Sequence, residues 1–285
     1  YVLISSSFTY YCLKMEDTLI TRPELELGKN SAYEHHYNPK KLFPIPRDEK
    51  RLEIGINPQN PPFFGFDLWN HYEVSWLNPK GKPMVGIAEI IYDCHSPCII
   101  ESKSMKLYFN TFNQSMFNSP EALEGIMQAD IAQAIKHPVE IRLFNLEDRS
   151  YFTQTQTFSG THLDILDIEC HDYIVNPSLL STENEQIEET VYSHLLKSNC
   201  LVTHQPDWGS VQIRYTGRKI HHENLLKYLI SFRNHNEFHE QCIERIFMDI
   251  MTYCQPKTLT VYGRYTRRGG VDINPIRSTE KDIQI

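Results

Sequence analysis

Asp67-Leu-Trp-Asn-His-Tyr-Glu-Val-Ser-Trp-Leu77, Pro79-Lys-Gly-Lys-Pro83 and Met84-Val-Gly-Ile-Ala-Glu-Ile-Ile-Tyr92 follow one another as two aromatic and β-branched runs around a Pro/Gly turn, the pattern of a β-hairpin. Ser119-Pro120-Glu121 then marks a helix start with Pro in the first turn. Leu123, Ile126, Met127, Ile131 and Ile135 repeat at helical spacing up to Lys136-His137-Pro138. Strand-like segments follow at 139–146 and 162–168. Beyond a polar, acidic loop at 176–189 the order recurs, with strands at 191–203 and 211–215 and Thr216-Gly217-Arg218 as a turn. Helices at 222–233 (Leu225, Leu226, Leu229, Ile230) and 237–253 (Cys242, Ile243, Ile246, Phe247, Ile250, Met251) lead to strands at 259–265 and 271–273, on either side of Arg267-Arg-Gly-Gly270. Strands, helix, strands, twice over, predicts an α+β protein built from one small module in duplicate, although the halves share few residues.

Working outward, 285 residues with 40% hydrophobic and 12% aromatic content suffice for a large buried core. A net charge of −8 argues against a broad phosphate-binding surface for DNA or RNA, while leaving room for a local basic cluster that holds a small nucleotide. The seven cysteines (Cys12, Cys94, Cys98, Cys170, Cys200, Cys242, Cys254) are odd in number and scattered, which points to a reducing cytoplasm rather than a disulfide framework. Nor does an apolar run reach the roughly 18 to 20 residues of a membrane-spanning helix. Residues 15–62 are polar and Pro-rich and read as an extended arm; residues 1–14, apolar and ahead of Met15, read as an upstream extension. The expected organisation is an arm at 1–62, a first module at 63–175 and a second at 176–285.

Ser193-His-Leu-Leu-Lys-Ser-Asn-Cys200-Leu-Val-Thr-His-Gln-Pro-Asp207-Trp-Gly-Ser210 is the leading candidate for chemistry. A cysteine and a carboxylate lie seven residues apart, with Lys197 beside the thiol and Pro206 and Gly209 placed to turn Asp207 back towards it. Most isolated cysteines are core filler, so the carboxylate decides the reading. At ordinary values the transfer of the Cys proton to Asp crosses about 4.6 pK units, or roughly 6 kcal/mol, which burial beside Pro206 and Trp208 would have to offset.

Other stretches could serve a ligand. Ile100-Glu101-Ser102-Lys103-Ser104-Met105-Lys106-Leu107-Tyr108 offers Lys103 and Lys106 to a phosphate and Glu101 to a guanine-like edge, or is an exposed charge-laced strand. His235, His239 and Cys242 lie at i, i+4 and i+7, and Cys94 and His95 precede Cys98, yet the spacing matches no common zinc signature. His239 and Glu240 open a helix, where side chains can enter a cleft. Arg264-Tyr-Thr-Arg267-Arg268-Gly269-Gly270 is a basic, Gly-rich turn suited to a cofactor phosphate.

Four stretches in this order, Glu101 to Tyr108, Leu195-Leu-Lys-Ser-Asn-Cys200 through Asp207-Trp-Gly, Phe232-Arg-Asn-His-Asn-Glu-Phe-His239-Glu240-Gln-Cys, and Tyr265-Thr-Arg-Arg-Gly-Gly-Val-Asp-Ile-Asn-Pro, resemble the two-module NADPH-dependent 7-cyano-7-deazaguanine reductases, the nitrile reductases of queuosine biosynthesis. The resemblance implies two tandem tunnelling-fold modules, each an antiparallel sheet with helices packed on one face, assembled as a homodimer. It implies Cys200 as the nucleophile that forms a thioimide with the nitrile carbon, and Asp207 as the proton donor. It places Ile100, Glu101, Ser102, His239 and Glu240 on the deazaguanine and Ser102, Lys103, Arg268 and Gly269 on NADPH, with no metal. His239 is a further candidate for proton relay. A zinc-dependent cyclohydrolase on the same fold, or a purine-binding or tRNA-associated module, would be the alternatives; direct tRNA binding is disfavoured by the acidic charge.

Overall fold

The computed structural model describes residue 34, residues 36–148 and residues 157–283, so the reading of 1–14 as an extension falls outside the described residues. A short strand β1 (Pro44–Pro46) and helix α1 (Asp48–Glu53) precede the first long hairpin, β2 (Phe64–Leu77) and β3 (Pro83–Asp93). Strand β4 (Cys98–Ile100), helices α2 (Ser102–Asn110) and α3 (Pro120–Ile135) and strand β5 (Val139–Phe144) complete the first half. The second half holds β6 (Thr161–His162), the hairpin β7 (Thr182–Asn199) and β8 (Pro206–Ile220), helices α4 (His222–Ser231) and α5 (His239–Tyr253), and strands β9 (Thr258–Tyr265) and β10 (Val271–Ser278).

The protein is α+β, as expected. One eight-stranded sheet runs β5-β3-β2-β10-β9-β8-β7-β6, antiparallel except between β6 and β7. The halves join where β10 pairs with β2 over the full length of β10, from Val271↔His71 to Ser278↔Phe64. That pairing explains why β10 outruns the expected 271–273.

Each half repeats one plan. β2 carries an irregularity in register between His71 and Val74, and β7 carries one between Ser193 and Leu196. Beyond it Val74 faces Gly86 and Leu196 faces Gly209, and the strands end three residues later at Leu77 and Asn199. The helices bury their apolar stripes on one sheet face. One core gathers Trp69, Ile90, Tyr108, Met127 and Ile131 under α2 and α3, and the other Val211, Ile213, Leu229, Ile246 and Phe247 under α4 and α5. α3 starts as its sequence predicts, with the Ser119 hydroxyl accepting from Ala122 N, and ends on Lys136 in the left-handed region.

Several local readings change. The acidic stretch at 176–189 already enters β7 at Thr182. Thr216-Gly217-Arg218 is no turn but part of β8. Gly217 lies against Pro256, where a Cβ would meet the proline Cα at 2.9 Å, so it serves close approach rather than reversal. The strand-like stretch at 162–168 keeps only His162 in β6 and continues as the 3-10 turn Leu163–Ile165. Ile100 to Tyr108 is not an exposed strand: Glu101 caps α2, its carboxylate accepting from Lys103 N at 2.6 Å and Ser104 N at 2.8 Å. The described part of the arm is folded as well: β1 pairs with β4, and Arg47 and Arg51 are buried.

Those arginines enter a charge network beneath the sheet. Arg277 of β10 pairs with Asp67 of β2 and Glu244 of α5, both at 2.8 Å; Arg47 reaches Asp67, and Arg51 reaches Glu244 at 2.7 Å. Every member is at most 3% exposed, so the network ties the arm, both halves of the sheet and α5 together.

Candidate active site

Cys200 stands at the tip of the β7–β8 hairpin. Its N–H donates to the Gln205 carbonyl at 2.8 Å and its carbonyl accepts from His204 N at 3.0 Å, so residues 201–205 make the turn. Pro206 to Gly209, expected to turn, instead begins β8, with Asp207 opposite Ser198 and Pro206 opposite Asn199. The fold-back of Asp207 is thus achieved by pairing. Side chains alternate along a strand, so Ser198, Cys200 and Asp207 share a face, with diagonal neighbours roughly 7–8 Å apart before their side chains reach inward. Both Cys200 and Asp207 are buried, at 6% and 7% exposure.

Around the carboxylate stand Arg268 and the His239 ring. Arg268 NH1 lies 3.0 Å from Asp207 Oδ1, and His239 Nε2 lies 3.5 Å from Oδ2. The His239 ring stacks on Tyr265 with centroids 3.9 Å apart. Lys106 of α2 faces the same space: burial, then the charge of Arg268, lowers its pKa, opposed by Glu101, Asp207 and Cys200. Arg268 is more than a third exposed and marks the open side.

A small apolar cluster brings these parts together. Leu201 of the hairpin tip packs with Ile45 of β1 and Ile99 of β4, and Phe43, Val202 and Phe238 close around them. Phe238 caps α5, one residue before His239, while Ile99 lies two residues before Glu101. The arm completes the join, since Glu101 N donates to the Phe43 carbonyl at 2.9 Å and Phe43 N to Ser104 Oγ at 3.0 Å. Three motifs far apart in sequence therefore meet over one hydrophobic contact.

Glu240, next to His239, is 2% exposed. Burial, reinforced by Asp67 and opposed by Arg47, pushes its carboxyl up to about 8. Among the described residues its Oε1 and the His239 Nδ1 have no hydrogen-bond partner. Buried polar atoms left open in this way mark where a ligand's polar edge would fit.

Of the residues expected at the site, Asp207, His239 and Arg268 come together directly, and Cys200 shares with Asp207 an electrostatic influence on Lys106. Ile100 is buried in β4, Glu101 caps α2, and Ser102 Oγ lies 3.5 Å from a Glu101 oxygen. Gly269 has φ +59 and its Cα faces Lys106. The metal-like spacing at 235–242 does not form one helical face, because His235 precedes α5 and bonds Glu237 at 2.7 Å. The described ligand group with metal-like geometry is Asp93, Cys94 and His95. A separate cavity of about 530 Å³, lined by Asn70, Asp272, Asn274, Gln212 and Arg264, includes none of Cys200, Asp207, His239 or Glu240. Lys106, expected with Lys103 as a phosphate holder, lies one helical turn from it on α2, whereas the apolar cluster around Leu201 has no local signal in the sequence.

Residues 33–143 match the family model described as "Nitrile reductase, 7-cyano-7-deazaguanine-reductase N-term", and residues 206–284 match "QueF-like protein". By class, then, this is a nitrile reductase, an oxidoreductase. The chain is 63% identical over 255 residues to the NADPH-dependent 7-cyano-7-deazaguanine reductase of Legionella pneumophila (strain Lens), covering 90% of each. It is 57% identical over 258 residues to the enzyme so named from Hydrogenovibrio crunogenus, covering 90% of this chain and 92% of that one. It is likewise 57% identical over 264 residues to the one from Cupriavidus metallidurans, covering 91% and 95%. The chain belongs to the 7-cyano-7-deazaguanine reductase family.

Proposed function

We propose that the protein reduces the nitrile of 7-cyano-7-deazaguanine to the aminomethyl group of 7-aminomethyl-7-deazaguanine with two NADPH, a step of queuosine biosynthesis, at the tip of the β7–β8 hairpin. The observation that carries this reading is the placing of Cys200 and Asp207 on one face of that tip, beside Lys106 and Arg268, in a chain of this family.

Cys200 sulfur adds to the nitrile carbon while a proton passes to nitrogen, giving a thioimide without change of oxidation state. Asp207 delivers that proton. NADPH supplies one hydride to each of the two reductions that follow. Between them the nitrogen lone pair expels the Cys200 thiolate, and the resulting imine stays shielded from water by the buried tip. His239, 3.5 Å from Asp207, relays protons to it as well as touching substrate. Ile100, Glu101, Ser102, His239 and Glu240 hold the deazapurine, with Glu240 Oε1 and His239 Nδ1 as open polar atoms for it.

Ser102, Lys103, Arg268 and Gly269 hold NADPH. The residues fit that group: burial and the charge of Arg268 lower the pKa of Lys106, which an anionic phosphate would offset, and Gly269 leaves a gap that a Cβ would close to 3.2 Å from Lys106 Nζ. A homodimer is supported by β5, whose outer edge has no partner strand among the described residues. A reducing cytoplasm is supported by free cysteines at 94, 98, 170, 200, 242 and 254. No helix of the described residues is long and apolar enough to cross a membrane. The net charge of −8 speaks against direct nucleic-acid binding. The chain divides into an arm at 1–62 and modules at 63–175 and 176–285, a reading supported by the repeated hairpin-and-helix plan of the two halves.

The test follows NADPH absorbance with and without the nitrile, expecting two NADPH consumed per nitrile. Mass spectrometry should show a nitrile adduct on the wild type and none on Cys200→Ala. An adduct that survives this change would remove Cys200 from the chemistry.

A further inference from the structure

β2 and β7 end in the same backbone clip. Leu77 donates its N–H to the Ser115 carbonyl at 2.9 Å and accepts from Phe117 N at 2.9 Å; Asn199 donates to the His235 carbonyl at 2.8 Å and accepts from Glu237 N at 3.1 Å. Both are parallel bridges, centred on Met116 and on Asn236. Phe117 and Glu237 therefore occupy equivalent places, and opposite chemistry fills them.

Phe117 packs its ring on Phe112, with centroids 5.5 Å apart. Glu237 is a carboxylate only 2% exposed. Its Oε2 lies 2.7 Å from His235 Nε2 and accepts from Arg245 Nε at 3.1 Å, while Oε1 accepts from Arg245 NH2 at 3.1 Å. Burial disfavours the charge, but Arg245 and His235 overcome it and hold the carboxyl far below its ordinary range. Burying such a pair is costly, and an apolar residue often does as well for stability. The first half shows that an apolar residue is enough to hold this clip. The fold plan alone therefore does not call for Glu237.

What differs is what the clip carries. In the first half it leads into the exposed turn after Leu77 and the Ser119-capped helix. In the second, Asn199 is followed at once by Cys200, and Glu237 is followed by Phe238, His239 and Glu240. Asn236 Oδ1 also lies 3.3 Å from His204 Nδ1 in the Cys200 turn, and Lys197 Nζ bridges Asn199 Oδ1 and the Arg233 carbonyl. One three-residue segment thus grips the nucleophile's hairpin at one side and leads into the substrate-facing pair at the other.

We propose that Glu237, through its pairing with Arg245 and His235, is a positioning residue that sets the register between Cys200 and the His239–Glu240 pair. This rests on the reading of Cys200 as the nucleophile.

Two variants test it. Glu237→Gln keeps the shape and removes the charge; Glu237→Phe combined with Arg245→Leu rebuilds the apolar clip of the first half. The rate constant of adduct formation with 7-cyano-7-deazaguanine, without NADPH, is measured by mass against nitrile concentration, alongside Tm. The saturating rate constant should fall roughly tenfold to hundredfold in both, with half-saturation shifting less, because misplacement by a fraction of an ångström acts on the bond-forming geometry. The double variant should keep a wild-type Tm, which separates positioning from stability. A double variant that forms adduct at the wild-type saturating rate would overturn the proposal. So would one that does not fold, since the charge would then be serving stability. A wild type that forms no adduct would instead remove the reading of Cys200 itself.

Discussion

The tips of the hairpins β2–β3 and β7–β8 share a plan but meet different surroundings. At the first, Lys80, Gly81 and Lys82 are exposed, and the turn satisfies itself, Asn78 Oδ1 accepting from Lys80 N and Lys82 N at 2.9 and 3.0 Å. At the second, Cys200 and Leu201 are buried under β1, β4 and the cap of α5. Aligning the strand irregularities and the clips sets Asn78 opposite Cys200 in the plan, and Met84 opposite Asp207. A duplicated element became a candidate site where the arm covers its tip, which suggests that enclosure, more than a new fold, separates the halves.

Replacing one side of this comparison should give the largest effect. Asp207→Asn keeps volume but removes the proton donor, and should lower NADPH oxidation by roughly 10² to 10⁴. Met84→Leu, at the matching place in the other hairpin, should leave it unchanged. Steady-state absorbance assays on both variants check the pair, and an active Asp207→Asn would erase the distinction.

Next comes the seam. Arg277 is fully buried and faces Asp67 and Glu244 at once. Arg277→Met leaves Arg47 and Arg51 to neutralise two buried carboxylates, and should destabilise the protein by about 3–5 kcal/mol in urea unfolding. A loss under 1 kcal/mol would mean that the network does little to hold the two halves together. Leu201→Ala opens the apolar cluster at the second tip and should cost about 2–3 kcal/mol. Lys80→Ala, at the exposed tip, should stay within about 0.5 kcal/mol of wild type. Thermal melts of the two compare enclosure directly.

Much of this contrast was legible in the sequence, and part was not. The β2–β3 hairpin and α3 announced themselves because their apolar periods and caps are local. The Cys200 turn was misplaced because Pro206 and Gly209 are the usual punctuation, whereas the actual turn uses His204 at φ 55, a residue seldom found there. Pro206 is admissible where it stands as the first residue of its strand. The Glu101 stretch hid its helix because its cap is a glutamate, not the usual Ser, Thr, Asp or Asn. The buried role of Glu237 could not be seen, since a carboxylate reads as surface until its partner, Arg245 one strand clip and two helical turns later, is known to face it. The Pro-rich arm read as extended because its stabilising partners, Asp67 and Glu244, lie far off in the chain.

The last test compares two glutamates at the second position of matching helices, Glu121 of α3 and Glu240 of α5. Hydrogen bonds from the Ser119 hydroxyl and from its own backbone N–H lower the pKa of exposed Glu121. Burial does the opposite to Glu240 and moves it up to about 8. Two consequences carry a sign. The folded state binds the Glu240 proton more tightly than the unfolded state, so this group makes stability fall as pH rises from about 4.5 to 8, and Glu240→Gln should flatten that slope in pH-dependent melts. A guanine-like edge offers N–H donors, so the ionised carboxylate is the form that pairs with it, and binding must expel the proton. Affinity for the deazapurine should therefore rise up to about tenfold per pH unit below 8, with proton release visible by calorimetry in buffers of different ionisation enthalpy. Glu121→Gln should leave both measurements untouched. If the affinity of the wild type is flat from pH 6 to 8, Glu240 either stays neutral against the ligand or does not face it, and burial would no longer distinguish the two helix starts in function.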